Sequence, residues 1–307
     1  MTYRAPTLAT APAALPPEEE QSGLARPGGG FSAPTLATAS AALPPDGAQS
    51  ALGRPGGGFS AHITRTRIKI CGLTREQDVD AAVEAGADAI GFVLYDKSAR
   101  YVTIQRAAEL ARRLPPFVTP VVLYVNENAI NIIANYAYLA RATLQFHGDE
   151  SPDACEEATL GGRRAYLRAA RIPLHGDARA FDLVKYAHDY SNAQAILLDA
   201  HVDGYGGGGK VFNWSLLPPN VNAHLVLSGG LNAANVGDGI LQVRPRCKTL
   251  AVDVSSGVEA DGPDGTPQKG IKDAGKINQF VAAVRAVDQL LAGHTHDTAH
   301  PGKVQPA

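Results

Sequence analysis

Lys69-Ile70-Cys71-Gly72-Leu73-Thr74 is the stretch that decides the fold. Arg67 to Cys71 reads as a short buried strand, with Ile68 and Ile70 as its apolar residues. Thr74, followed by Glu76, Asp78 and an apolar-periodic run, reads as the N-cap of a helix. The chain thus passes from a strand through a Gly turn into a helix, and Cys71 stands at the strand's carboxyl end. In α/β proteins that end is where ligands bind and chemistry occurs. A cysteine there can serve as nucleophile or base where its surroundings favour the thiolate. The plainer reading is a small buried hydrophobe.

Working outward, the same strand-to-helix step recurs. Strands are expected at Ile68–Cys71, Ala89–Leu94, Val118–Val125, Ala142–Phe146, Arg164–Ala169, Ala195–Leu198, His224–Leu227 and Thr249–Val252. The helices that follow them are expected at Arg75–Ala85, Thr103–Arg113, Glu127–Tyr138, Asp153–Leu160, Ala178–Tyr186, a short piece near Trp214, Ala233–Gln242 and Asp273–Leu291. The strands are short and mostly continuous in apolar residues, as strands buried on both faces are. Eight such units favour one closed (β/α)8 TIM barrel over an open doubly wound sheet. No G-x-G-x-x-G follows the first strand, which weighs further against a dinucleotide-binding fold.

In a barrel the residues just after each strand share one mouth. They are Cys71, Arg100, Asn126, His147 with Asp149, Asp199, Ser228-Gly229-Gly230, and Asp253 with Ser255-Ser256-Gly257. The last two groups read as a phosphate cradle, because glycines let backbone N–H groups approach an anion and a helix N-terminus adds partial positive charge. The loops after strands 7 and 8 are the usual phosphate site of such barrels. Tight turns alone are the alternative. Asp199 ends the run Ala195-Ile196-Leu197-Leu198 and precedes a Gly-rich loop, Gly204–Lys210, that reads as a lid over a bound ligand. A carboxylate in that position suits a general acid; a solvated loop aspartate or helix cap is its alternative, and Asp253 has the same two readings. Arg100 offers a fork of donors for a carboxylate or phosphate. His147 reads equally as a structural or an active-site residue.

The rest of the chain bounds the function. Residues 5–33 return nearly unchanged as residues 33–61, with RPGGGFSA at Arg26–Ala33 and again at Arg54–Ala61. This Ala/Pro/Gly-rich segment has no periodic apolar face and cannot offset the entropy of ordering it. Residues 1–62 are therefore expected to be a disordered repeat, 63–291 the barrel, and 292–307 a disordered C-terminal tail. No apolar run approaches the ~18 residues that would span a membrane. The net charge of −2 and the lack of a Lys/Arg cluster give no sign of nucleic-acid binding. Cys71, Cys155 and Cys247 are odd in number and far apart, forming neither a disulfide framework nor a metal motif. That suits a reducing, cytoplasmic setting.

With these residues in place, the domain resembles the phosphoribosylanthranilate isomerase family of the tryptophan pathway. The likeness runs through KICGLT (69–74), GFVLYDKSARYV (91–102), LQFHGDE (144–150), LLD (197–199), GGGGKVFNW (206–214), LSGGLNAANV (227–236), VDVSSGVE (252–259) and KGIKDAGKI (269–277). It implies an Amadori rearrangement without metal or cofactor. The implied substrate is N-(5-phosphoribosyl)anthranilate, and the product 1-(2-carboxyphenylamino)-1-deoxyribulose 5-phosphate. It implies that Asp199 is the general acid and Cys71 the general base. It gives Arg100 the anthranilate carboxylate, and places Gly229, Gly230, Ser255, Ser256 and Gly257 around the phosphate. His147 and Asp253 are expected to line the same substrate site. The partner is then a small phosphorylated molecule, with no nucleic acid or membrane, and the assembly a monomer or homodimer. An ordinary thiol is mostly protonated at pH 7 unless lowered by roughly one or two units. Arg100 and the nearby helix N-terminus are expected to do this.

Three positions depart from the family pattern. Ala99 replaces the usual Pro before Arg100, which predicts a less rigid turn. Gly208 replaces a Thr in the Gly-rich loop, which removes a hydroxyl donor. Asn213 replaces an Asp before Trp214, where Asn caps a helix equally well. The related histidine-pathway isomerase carries an aspartate where this chain has Cys71, so the first strand speaks against that reading.

Overall fold

The computed structural model describes residues 65–174, 181–200 and 211–297. Eight parallel strands close into a barrel in chain order, β1 (Arg67–Cys71), β2 (Ala89–Val93), β3 (Thr119–Tyr124), β4 (Thr143–Phe146), β5 (Tyr166–Ile172), β6 (Ala195–Ala200), β7 (His224–Leu227) and β8 (Thr249–Val254). The ring closes by pairing β8 with β1, with Ile68 opposite Val252 and Ile70 opposite Val254. The TIM barrel expected from the alternating pattern is the fold observed.

Alternation along each strand sorts side chains between two cores. Ile68 and Ile70 on β1, Leu144 and Phe146 on β4, Ile196 and Leu198 on β6, and Leu250 and Val252 on β8 join the large apolar layer shared with the helices. Their neighbours on the opposite parity fill the barrel. Ala169, Leu197 and Val226 form one apolar plug, and Cys71, Val93, Leu123 and Val125 another. The same parity carries Lys69, Gln145, Asp199 and Asp253, all buried, into the interior.

The helices follow their capping residues. α1 spans Glu76–Glu84, α2 Ile104–Ala111, α3 Ala129–Asn135, α4 Pro152–Ala158, α5 Leu183–Asp189, α6 Val236–Val243 and α7 Ala274–Asp297. Thr103, Asn128, Ser151 and Asp182 each accept a backbone N–H in the first turn of the following helix. Between β6 and β7 the described residues hold one 3-10 turn, Trp214–Leu216, capped by Asn213 as expected.

Several boundaries differ from the expectation. Thr74 is not the cap of α1: Arg75 takes that position without a side-chain bond, and the Thr74 hydroxyl donates to Gly270 O at 2.8 Å instead. β5 runs on to Ile172, because Arg171 and Ile172 pair with Asp199 and Ala200. The stretch before α7 is not merely a loop. It forms an antiparallel hairpin of β9 (Glu259–Asp261) and β10 (Pro267–Lys272). α7 extends past Leu291 to Asp297, so the domain reaches beyond the boundary drawn there. The repeat at 1–62, the Gly204–Lys210 loop with Gly208, and the expected start of the fifth helix at Ala178 lie outside the described residues. Among the described residues, no helix is long and apolar enough to cross a membrane.

Candidate active site

The site is built on strand ends. Cys71 closes β1 opposite Gly91 of β2. A Cβ on Gly91 would lie 2.6 Å from Cys71 Sγ, 3.1 Å from Cys71 Cα and 3.1 Å from Lys69 Cε. Glycine at this position makes the space in which the thiol and the lysine stem sit side by side. Lys69 Nζ reaches Asp253 Oδ1 at 2.9 Å, and both side chains are only 5% exposed. Burial opposes the lysine's charge, but Asp253 and Cys71 outweigh it and hold its pKa above the ordinary value.

Burial is also the main influence on the Cys71 thiol, and it raises the pKa. Lys69 pulls it down, Asp253 pushes it up, and Lys272 pulls it down more weakly. The expected lowering by Arg100 and a helix N-terminus is therefore not what this site does. The thiol's pKa is raised overall, and the strongest cation acting against burial is Lys69. Arg100 is occupied elsewhere: its Nε and Nη2 donate to the two oxygens of Glu259 at 2.7 and 2.9 Å.

Asp199 lies on β6, with β7 and β8 between it and β1. Asp199 Oδ2 is 2.9 Å from His147 Nε2, and its Oδ1 accepts the Ala200 N–H at 2.9 Å. His147 Nδ1 is 2.9 Å from Gln145 Nε2. Gln145, His147 and Asp199 thus form a buried chain from β4 to β6. The structure thus sets His147 directly against Asp199. Gly229 closes the far side: a Cβ there would fall 2.7 Å from Ala200 N and 2.9 Å from Asp199 Oδ1, and its φ of 79° favours glycine.

The loops after β7 and β8 pack against each other, Gly257 on Leu231. Gly230, with φ 65°, is tied down by Asn235 Nδ2 donating to its carbonyl at 3.0 Å, just before α6 begins. Ser256 and Gly257 start a 3-10 turn, Ser256–Val258. Gly257 packs directly on the Leu231 carbonyl, where no side chain fits. Ser255 also ties its loop to β1, since its hydroxyl donates to Cys71 O at 3.1 Å and lies 3.3 Å from Lys272 Nζ. Asn126 and Asp149 bond to one another at the exposed rim, and Asp149 also meets Arg171 at 3.3 Å.

Four residues were missed by reading strand ends alone. Lys69 and Gln145 sit inside strands, each two residues before a recognised one and hence on the same face. A lysine between Ile68 and Ile70 was the available signal. Glu259 and Lys272 belong to the hairpin, whose strands are too short and polar to announce themselves.

Known proteins resemble this chain in sequence and in fold. A model of the N-(5'-phosphoribosyl)anthranilate (PRA) isomerase family matches residues 68–283. The N-(5'-phosphoribosyl)anthranilate isomerase of Methylibium petroleiphilum is 58% identical over 228 residues, covering 74% of this chain and 98% of that protein. Monomers of the dimeric Thermotoga maritima phosphoribosylanthranilate isomerase superimpose with a TM-score of 0.58 at 35% identity, over 72% of this chain and 99% of theirs. A phosphoribosyl anthranilate isomerase solved with reduced 1-(o-carboxyphenylamino)-1-deoxyribulose 5-phosphate gives 0.58 at 36%, over 72% and 99%. With more than half the chain matched by the family and most of it by a close relative, this protein belongs to the N-(5'-phosphoribosyl)anthranilate isomerase family.

Proposed function

We infer that the barrel converts N-(5-phosphoribosyl)anthranilate to 1-(2-carboxyphenylamino)-1-deoxyribulose 5-phosphate in tryptophan biosynthesis, with Asp199 as acid and Cys71 as base. The observation that carries the roles is the pairing of two inward-facing groups at one mouth: a carboxylate braced by His147 and a thiol beside a buried ammonium. Asp199 gives a proton to the ribose ring oxygen. The C1–O bond then breaks as the anthranilate nitrogen shares its lone pair, forming an iminium. That cation acidifies the C2 proton, and the Cys71 thiolate removes it. The resulting enolamine becomes the ketone by gaining a proton at C1 and losing one from the C2 hydroxyl. The formula is unchanged, as an isomerisation requires, and the enzyme resets by returning a proton from Cys71 to Asp199 through solvent.

Both ends of the substrate are anionic, and fixing them holds the reacting carbons between acid and base. Arg100 suits the anthranilate carboxylate: Glu259 orients its guanidinium through Nε and Nη2, and among the described residues Nη1 has no partner. Gly229, Gly230, Ser256 and Gly257 suit the phosphate, with Ser255 joining that loop to β1 and Asp253 holding Lys69. Three free cysteines accord with a reducing cytoplasm. A monomer or homodimer is proposed, on the example of the dimeric Thermotoga maritima relative.

The test is turnover of freshly made N-(5-phosphoribosyl)anthranilate, followed by loss of its anthranilate fluorescence. The site residues lie between Lys69 and Lys272. A chain beginning at Ile63 is therefore expected to match the full chain in kcat and KM. No turnover by either chain would overturn the function. Turnover by the full chain alone would show that residues 1–62 serve the barrel.

A further inference from the structure

The base assigned above has a difficulty that the fold itself resolves. Cys71 is buried, and burial favours its neutral thiol. A general base must be deprotonated, so something has to stabilise the anion. Arg100 does not, since its guanidinium is paired with Glu259, which is itself fully buried. Lys272 acts weakly on the thiol, and its ammonium is shared among Ser255 O, Ser255 Oγ and Glu259.

Lys69 remains. It precedes Cys71 by two residues on β1, so both side chains enter the barrel on one face. Its Cε and the Cys71 Sγ both lie within 3.1 Å of one point, the place a Gly91 Cβ would occupy. Its ammonium also bonds Asp253 at 2.9 Å. The charged groups around the thiol are therefore Lys69 on its own strand, Asp253 on β8 and Lys272 on β10.

We propose that Lys69 is a positioning residue for the base: its ammonium, shared between Asp253 and Cys71, is the cation against which the thiolate forms. Asp253 opposes Cys71 in this arrangement, because the two anions compete for one ammonium. The strand pattern places a lysine in a buried apolar strand for this purpose, where an apolar residue would otherwise pack. The proposal rests on Cys71 as base for its catalytic meaning, but its physical content is a titration that can be read without turnover.

The experiment follows the ultraviolet absorbance of the Cys71 thiolate against pH, taken as the difference from Cys71→Ala, so that Cys155 and Cys247 cancel. It compares the wild type with Lys69→Met, Asp253→Asn and the double variant. Lys69→Met is expected to raise the midpoint by at least about one pH unit, a tenfold loss of thiolate at neutral pH. Asp253→Asn is expected to lower it. kcat of Lys69→Met should fall at neutral pH and recover toward wild type as pH rises, which a purely structural lysine would not show. Lys69→Met leaves Asp253 buried without its partner, so it can fail to fold. The double variant removes both charges and carries the test in that case, with a midpoint above wild type. A Lys69→Met midpoint equal to wild type, a shift of both single variants in one direction, or a double variant at or below wild type would overturn the proposal. If Cys71→Ala kept its turnover, the base assignment would fall while this titration still decided the role of Lys69.

Discussion

Gly91 shows how closely a single residue constrains this site. It carries no function of its own, yet a methyl group there would meet the Cys71 sulfur at 2.6 Å and the strand backbone at 3.1 Å. Backbone cannot swing aside as a flexible side-chain end does, so the thiol has to move. Gly91→Ala is expected to lower kcat at least about tenfold, in line with misplacing a general base. The cost in stability should be about 1–3 kcal/mol, as for other overpacked positions. Steady-state kinetics and urea melts of the variant check both. At this scale the sequence was partly legible. Cys71, Arg100, His147, Asp199 and Asp253 were visible because they stand at or near strand ends, where polar residues interrupt apolar runs. What acts on each was not visible. That Arg100 serves Glu259 and that Lys69 faces the thiol are facts of packing between distant segments, and no local pattern encodes them.

Among the elements, the β9–β10 hairpin matters more than its size implies. It delivers Glu259 and Lys272, both without solvent exposure at the side chain, beneath the loop that carries Arg100. Glu259 accepts from Arg100, from Gly270 N–H at 2.8 Å and from Lys272 at 3.3 Å. Burial raises the carboxyl, but these donors outweigh it and hold the pKa below the ordinary range. A carboxyl depressed in this way adds stability above its unfolded pKa and loses it as pH falls through the folded value. Glu259→Gln leaves two buried cations with a neutral partner. It should cost about 3 kcal/mol at neutral pH, the low end for breaking a buried pair. It should also lose less stability than wild type between pH 7 and about pH 3, below the unfolded glutamate pKa. Urea midpoints at the two pH values measure this, and equal losses would remove Glu259 from the acid response. The helices were legible to within a turn where Thr103, Asn128 and Ser151 cap them, whereas α5 starts only at Leu183, behind Asp182, and runs past the expected end at Tyr186. Thr74 misled because its hydroxyl has a better partner in Gly270 O, supplied by the hairpin.

Across the whole molecule, closure of the ring turns scattered strand ends into one site. The seam joins β1 to β8, and α7 secures it: Asp288 accepts the Thr66 N–H at 2.9 Å and its hydroxyl at 2.5 Å, while Arg285 Nη1 donates to Thr66 O at 2.7 Å. Closure sets Lys69 against Asp253 and Cys71 O against Ser255. The architecture was legible because buried parallel strands are short apolar runs, and eight of them admit few other arrangements. The most direct test of the account is turnover and ligand binding by Cys71→Ala and Asp199→Asn. The account predicts that kcat falls at least about a hundredfold in each, the scale of acid–base catalysis. Binding of reduced 1-(o-carboxyphenylamino)-1-deoxyribulose 5-phosphate should stay within about threefold of wild type, since proton transfer and not binding is assigned to both residues. Either variant retaining more than about a tenth of the wild-type kcat would contradict it.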